Sequence, residues 1–348
     1  MQRYIAVDSG KFATKVAEYL IADDTVRKFS IRTKVSDGDM RDDAIEEHTV
    51  VVEIDGNVYK IGNGARGAGV ALDTDKKTDV HKLCTLTALA TVASAKDVDV
   101  FDVAIGLPAK DWAVVSKRMD FKDYILPEGE MSITIKKDST SEPVKKTFKI
   151  RNRFVFPESI GALFMDETIG FISPTSITGV LDMGNLNLNA TLWQGTELVQ
   201  DKSSTAELGG AILIQELSQE ISSNITACDE LITANILKEP VERRHLPDDM
   251  NLSSDQVQLS AELIKRVTTD HAQKVKRTVR ARNWSLDITR LIAIGGTSQD
   301  IENDLKEVFG ENITVLPNSN YCNVLGYLRM MCARIPEIDK IIPLGNAA

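Results

Sequence analysis

Two short stretches hold the residue types best suited to phosphate chemistry. In "YIAVDSGKFATKVAEY", Tyr4 to Tyr19, an apolar run ends on Asp8-Ser9-Gly10, and β-favouring residues resume within a few positions. In "TGVLDMGNLNLNATLWQGTELV", from Thr178, a second apolar run ends on Asp182-Met183-Gly184, followed by a strand that alternates Leu188, Ala190 and Leu192. A carboxylate with a glycine two residues on suits a tight turn whose backbone N–H groups point outward and approach an anion closely. One such turn would read as an ordinary hairpin, because Asp and Gly are common turn residues. Two copies that align position by position, with Lys15 where the other has Asn189, point to a duplicated unit with a carboxylate and an open turn on each half.

Facing each other, such turns could surround a polyphosphate, with Asp8 and Asp182 holding a hydrated magnesium ion between them. Mg²⁺ prefers oxygen ligands and keeps several waters, so two carboxylates acting through water, plus phosphate oxygens, suit it. Lys15, on the outgoing strand, could neutralise phosphate charge. Gly209-Gly210 lies near a helix start, close enough for a backbone approach to phosphate. Gly295-Gly296-Thr297, at a strand-to-helix junction, has the flexibility to pass close to a nucleoside. Glu158 follows Pro157 at the end of a strand and opens an apolar helix running past Leu163, where the helix dipole alone would favour a glutamate.

The elements that must position these groups alternate between strand and helix patterns. After the first hairpin come "VRKFSIRTKV" and "HTVVVEIDGNVYKIG", whose Asp55-Gly56 is a two-residue hairpin turn. "KLCTLTALATVASA" has helical spacing, "VDVFDVAIGLP" returns as a buried strand, and Met131 to Ile150 alternates around a polar turn as an exposed hairpin. In the second half, helices are expected after the Asp182 hairpin, over Thr226 to Leu237, from Asp255 to about Trp284, and after Gly295-Gly296. The apolar helix "NYCNVLGYLRMMCARI" could return to the first domain. "GNGARGAG", from Gly62, contains the GxGxxG dinucleotide pattern, but no convincing helix begins inside it, so it reads as a mobile surface loop.

At 348 residues the chain is comfortable as two domains, and its 43% hydrophobic and 26% charged composition is that of a soluble globular protein. No run approaches a membrane span, and "MQRYIAVDSG" lacks the regions of a secretion signal, which points to the cytoplasm. Cys84, Cys228, Cys322 and Cys332 form neither a CxxC pair nor a disulfide framework and read as buried thiols; the four histidines show no ligand spacing. A net charge of -10 argues against direct nucleic-acid binding, with "HAQKVKRTVRARNW" the local basic exception.

The Asp8 and Asp182 turns resemble the two phosphate motifs of the actin, Hsp70 and sugar-kinase superfamily, and "LIAIGGTS" resembles its adenosine motif. Within it, "DVAIGLPAKDW", "FVFPESIGA", "GVLDMGNLNLNATLW", "AELGGAILI", "LIAIGGTSQDI" and "LPNSNYCNVLGYL" are similar, in order from Tyr4 to about Met331, to landmarks of the ParM-type plasmid-segregation actins of bacteria. The resemblance implies an α/β, two-domain actin-like fold, each domain a ribonuclease-H-like mixed sheet with helices. Domain I would comprise 1–165 plus 321–348 and domain II 166–320, with ATP, or GTP, and Mg²⁺ in the cleft. It implies an ATPase in which Glu158 places the attacking water and Asp182 acts with it, while Asp8, Ser9, Gly10, Lys11, Lys15, Gly184, Asn185, Gly209, Gly210, Gly295, Gly296 and Thr297 hold the nucleotide. It further implies head-to-tail filaments that segregate plasmid DNA through an adaptor bound to a centromere-like site, without direct nucleic-acid or membrane contact. Another bacterial cytoskeletal actin, or a non-polymerising small-molecule kinase of the superfamily, are the other readings. The chain departs from the pattern at Asn185 and Asn189, where relatives often carry a glycine and an aspartate. Lys11 stands where a small hydroxyl residue is usual, and could face either the phosphates or solvent.

Overall fold

Tyr4, Ile5, Ala6 and Val7 are all buried, because their strand has neighbours on both edges and helices on its faces. An unbroken apolar run, rather than strict alternation, is what such a strand requires. The computed structural model describes residues 1–42, 44–67, 75–247, 250–285, 290–338, 340–342 and 344. The chain divides into two units, Met1–Phe171 with Tyr321–Ala348, and Ile172–Asn320.

The first unit runs β1 (Gln2–Ser9), β2 (Ala13–Leu20), β3 (Thr25–Arg32), β4 (Val35–Asp37), β5 (Thr49–Ile54), β6 (Asn57–Gly62), α1 (Asp79–Val92), β7 (Asp99–Leu107), α2 (Ala109–Trp112), α3 (Val115–Ile125), β8 (Glu130–Lys136), β9 (Val144–Pro157) and α4 (Asp166–Ile169). Among the described residues its sheet has the order β3-β2-β1-β7-β9-β8-β5-β6-β4. β1, β7 and β9 are parallel, with Val7 beside Ile105 and Leu107 beside Pro157, so Asp8 and Glu158 leave the sheet at the same edge. Helix α1 is capped by Thr78, whose hydroxyl accepts from the His81 amide, and it packs Leu86 and Leu89 into a core with Val7, Val103 and the stacked rings of Phe101 and Phe148.

The second unit runs β10 (Ile177–Met183), β11 (Leu188–Gln194), β12 (Glu197–Leu198), β13 (Ser204–Ala206), α5 (Gly210–Asn224), α6 (Glu230–Lys238), α7 (Ser254–Arg280), β14 (Arg290–Ile294), α8 (Gly296–Asp300), α9 (Glu302–Phe309) and β15 (Ile313–Val315). Its sheet order is β12-β11-β10-β14-β15, with β13 on β11 and β10, β14 and β15 parallel. Helix α7 begins with a capping box of Ser253 and Gln256 and buries Ile264, Val267, His271, Val275 and Val279, about one residue per turn. Its basic residues include Lys274, paired with Glu216, and Lys276, bonded to the Val308 carbonyl, as a solvated helix face would be.

The two hairpins share one register: Asp8 lies opposite Lys15 in the first, and Asp182 opposite Asn189 in the second. Each also has a parallel strand beside its first strand. Asp55 and Gly56, both at positive φ, make the expected two-residue turn. All four cysteines are buried thiols outside any disulfide. Among the described residues, no helix is long and apolar enough to cross a membrane.

Three local expectations are corrected. The hairpin over Met131 to Ile150 is not exposed: β8 lies between β9 and β5, and Ile133, Ile135 and Phe148 are core residues, so its alternation marks one buried face. Glu158 does not open a regular helix, because Ser159 takes a left-handed backbone (φ 73°) and only a 3-10 turn over 160–164 follows. In the glycine-rich stretch, Gly62, Gly64 and Ala65 are buried rather than at the surface. A Cβ at Gly62 would lie 2.3 Å from the His48 carbonyl oxygen, and one at Gly67 2.0 Å from that of Val35, so these glycines permit close packing. Residues 68 and 69 of that stretch lie outside the described residues.

Helix α10 (Cys322–Cys332) packs on β1, β2, β7 and the 160–164 turn. It is fixed there by Arg329, whose guanidinium donates to the Phe164 carbonyl at 2.7 Å and pairs with Asp166 at 2.6 Å. At the crossing, a Cβ on Gly326 would stand 2.3 Å from the Gly161 Cα, so backbone meets backbone. Gly326→Ala should cost at least about 1–3 kcal/mol through overpacking. Urea unfolding of the variant beside wild type checks this, and an unchanged midpoint would show that the crossing relaxes freely.

Candidate functional site

In the first unit, the Asp8 turn is built by backbone. The Gly10 amide donates to the Asp8 carbonyl at 2.9 Å and to that of Ala13 at 3.1 Å, and a Cβ on Gly10 would crowd that second carbonyl at 2.9 Å. Thr33 holds the turn from outside, its hydroxyl donating to the Gly10 carbonyl at 2.7 Å and its amide to that of Phe12 at 3.0 Å. The Ser9 hydroxyl meets that of Thr14 across the hairpin at 3.1 Å.

The Asp8 carboxylate is buried, and Lys76, absent from the sequence expectations, lies against it. Lys76 Nζ donates to Asp8 Oδ1 at 3.2 Å and forms a closer ion pair with Glu158 Oε1, and the three side chains are only 7–8% exposed. Burial alone would push the Asp8 carboxyl up, but Lys76, with Lys15 behind it, holds it below the usual range. Burial likewise disfavours the Lys76 ammonium, and the Glu158 and Asp8 charges outweigh it, raising its affinity for a proton. Lys76 is therefore charged at neutral pH.

Glu158 is delivered by the end of β9, its amide donating to the Leu107 carbonyl at 2.8 Å. The strained Ser159 backbone that follows is held by Asn323 of α10, whose Oδ1 accepts the Ser159 N–H at 3.0 Å. Such strain costs on the order of 1–3 kcal/mol and persists where surroundings over-determine it. The Lys11 ammonium is buried, which answers its open orientation against solvent. His81 is also buried; desolvation, then the Lys76 and Lys11 charges, push its imidazole down to about 3, so it is neutral.

In the second unit, the glycines pack the Asp182 turn against its neighbours. The Gly209, Gly210 and Ala211 amides donate to the carbonyls of Leu186 (3.1 Å), Gly184 (3.0 Å) and Asn185 (2.7 Å). A Cβ at Gly209 would sit 2.4 Å from the Asn185 oxygen, and one at Gly210 2.6 Å from Thr297 Oγ1. These two glycines thus let the start of α5 close on the turn, and their amides are engaged by it rather than presented to an anion. Thr297 donates to the Gly184 carbonyl at 3.0 Å. Gly295, at φ 92°, lies so close to Met183 that a Cβ would approach its carbonyl oxygen to 2.3 Å, while Gly296 has open space around it. Asp182 is half-buried beside Ile294 of β14, and Asn189 opposite it accepts from the Thr205 hydroxyl at 2.8 Å.

The structure therefore places Asp8, Ser9, Gly10, Lys11, Lys15 and Glu158 in one unit, with Asp8 and Glu158 joined through Lys76, and Asp182, Gly184, Asn185, Gly209, Gly210, Gly295, Gly296 and Thr297 in the other. Lys76 and Asn323 were missed. The only trace of the first was a lysine pair in the acidic run "DTDKKTD" ahead of a helix cap. Among the described residues, no three or more His, Cys, Asp or Glu side chains are placed to hold a metal ion by themselves. An Mg²⁺ ion that kept its waters and bound phosphate oxygens needs only one or two carboxylates, and Asp8 in the first unit and Asp182 in the second are each of the donor type such an ion takes.

Residues 6–161 match the family "Actin like proteins N terminal domain". No protein with a curated description matches the chain. Among solved structures, the chain is similar to the Alp12 filament (21% identity, 96% of this chain and 99% of that one, TM-score 0.70). It is also similar to Ta0583, an archaeal actin homologue (17%, 96% and 100%, TM-score 0.78), which has also been solved in complex with ADP. A third is the ParM of a 15-stranded filament from Clostridium botulinum (18%, 95% and 99%, TM-score 0.68). Near-complete coverage at TM-scores of 0.68–0.78 establishes that the chain has the two-domain actin-like fold, with residues 6–161 matching the N-terminal domain of actin-like proteins.

Proposed function

We propose that this protein is a ParM-type ATPase that binds ATP with Mg²⁺ and assembles head to tail into nucleotide-dependent filaments. The filaments segregate plasmid DNA in the bacterial cytoplasm through a DNA-binding adaptor. The observation that carries the ATPase reading is the buried cluster of Asp8, Lys76 and Glu158 at one edge of a parallel sheet, beside a turn of the form repeated at Asp182. Ligands of α/β sheets lie at the carboxyl ends of parallel strands, where Asp8 and Glu158 stand.

Each residue has a task in that reading. The Asp8 and Asp182 turns hold phosphates and, through water, the cation, which when bound neutralises charge on the phosphate oxygens. Glu158 accepts a hydrogen bond from the attacking water and orients it. Phosphoryl transfer depends mainly on such positioning and on charge stabilisation, so a fixed carboxylate with an adjacent ammonium is sufficient equipment. Thr297, bonded to the Gly184 carbonyl, ties the nucleoside-side turn to the phosphate-side turn. Head-to-tail contacts are heterologous and need not close, which suits a filament. The filament neighbours support self-assembly, and the net charge of -10 favours an adaptor over direct contact with DNA.

Light scattering after addition of Mg-ATP, with phosphate release followed in the same sample and a non-hydrolysable analogue beside it, tests this reading. A rise that decays as phosphate appears, and persists with the analogue, is expected; ATP binding without any rise would favour a small-molecule kinase. Glu158→Gln should keep ATP binding and prolong the scattering plateau while lowering phosphate release by about 10²-fold, the scale on which one positioned transition-state group acts. Turnover at the wild-type rate would remove Glu158 from the mechanism. Asp182→Ala should abolish magnesium-dependent nucleotide binding in a fluorescent-nucleotide titration, and a wild-type affinity would make Asp182 an ordinary turn residue.

A further inference from the structure

We propose, resting on the ATPase reading above, that Lys76 is a positioning residue for hydrolysis: its ammonium fixes Glu158 against the Asp8 turn and supplies positive charge beside the terminal phosphate. An ammonium buried to this degree loses several kcal/mol of hydration, which only close and well-satisfied partners offset. Lys76 has those partners in Asp8 and Glu158, one from the end of β1 and one from the end of β9. A purely structural ion pair would need one carboxylate; this lysine joins the phosphate turn to the water-orienting glutamate.

The surroundings support a site rather than a sealed core. A cavity of about one water's size is lined by Lys76, Ser9, His81, Thr85 and Gly106. His81 Nε2 and Thr85 Oγ1 are buried there without a partner among the described residues. His81 is neutral, so it adds no competing positive charge and can bond to a water that also serves the ammonium. Lys76 keeps its proton beside two carboxylates, so it acts as a fixed charge and not as an acid or base.

In the step itself, the water oxygen bonds to the terminal phosphorus as the bridging P–O bond breaks. The electron pair leaves on ADP and both water protons depart with the inorganic phosphate. Glu158 orients that water and is unchanged at the end, and Lys76 stabilises the charge on the phosphoryl oxygens while keeping Glu158 aimed. A lysine of this kind contributes more to turnover than to nucleotide affinity, because its interactions strengthen as charge shifts in the transition state.

The test compares Lys76→Arg, Lys76→Met, Glu158→Gln and the double variant Lys76→Met/Glu158→Gln with wild type. The readouts are kcat and KM from phosphate release, ADP affinity by titration, and scattering in the same samples. Lys76→Arg keeps the charge and guards against loss of folding in the Met variant, and the double variant removes charge from both partners. Expected are a kcat about 10-fold lower for Arg and about 10²-fold lower for Met, with ADP affinity within about 3-fold of wild type. The double variant should be no more than about 3-fold slower than Glu158→Gln, since both residues act on one water. Wild-type kcat in the Arg and Met variants overturns the inference alone. So does a loss of ADP affinity parallel to kcat, or a Lys76 effect that multiplies that of Glu158→Gln, since either marks a structural role. Absence of ATP turnover in the wild type overturns the functional reading and this inference with it.

Discussion

A buried ammonium shared by two carboxylates is the constraint around which the first unit's site is arranged. None of the three charges can remain in so dry a place without the others: removing one partner of a buried pair commonly costs about 3–5 kcal/mol, because the survivor is left uncompensated. Lys76 comes from the segment before α1, Asp8 from the end of β1, and Glu158 from the end of β9. Three elements distant in sequence are thereby locked to one point. Asn323 extends the lock to α10 by holding the strained Ser159 backbone, which is why a helix more than 160 residues downstream of Glu158 belongs to its support.

The second unit solves the same positional problem by other means. Its turn is held by backbone, with three successive amides at the start of α5 closing on turn carbonyls and glycines where any Cβ would collide. The Asp8 turn of the first unit is held by backbone too, and the Lys76 ion pairs add charge to that support. The duplicated hairpin thus preserves register and the parallel neighbour while the supporting chemistry diverges. A shared strand pattern fixes where a turn sits, and the local partners decide what the turn can bind.

Much of this was legible because it is local. An apolar run ending on Asp-x-Gly, followed by a second strand, specifies a hairpin from its own residues, and the register placed Asp8 opposite Lys15 and Asp182 opposite Asn189 as the alignment of the two copies implied. Glu158 was legible as a polar residue at the end of an apolar strand. Lys76 was not, because nothing within "DTDKKTD" distinguishes a lysine destined for burial from a solvated one; its partners lie 68 and 82 positions away. The β8–β9 hairpin was misjudged for a related reason, since alternation reveals that one face is buried but not that the strand lies inside a sheet. The 3-10 turn after Glu158 was misjudged because helical apolar spacing over 160–164 satisfies a tighter turn equally well, and the left-handed Ser159 that forces it depends on Asn323.

The two aspartates, matched in sequence and register, stand in different electrostatic surroundings. Asp8 is nearly fully buried, and its charge is already opposed by Lys76 and by Lys15 across the hairpin. Asp182 is half-buried, and the residue opposite it is an amide, which can accept or donate a hydrogen bond but cancels no charge. The hairpin register is thus shared while the charge across it is not: an ammonium faces the aspartate in the first copy and a neutral amide in the second. A duplicated strand pattern therefore carries over where each aspartate stands but not the electrostatic setting it stands in.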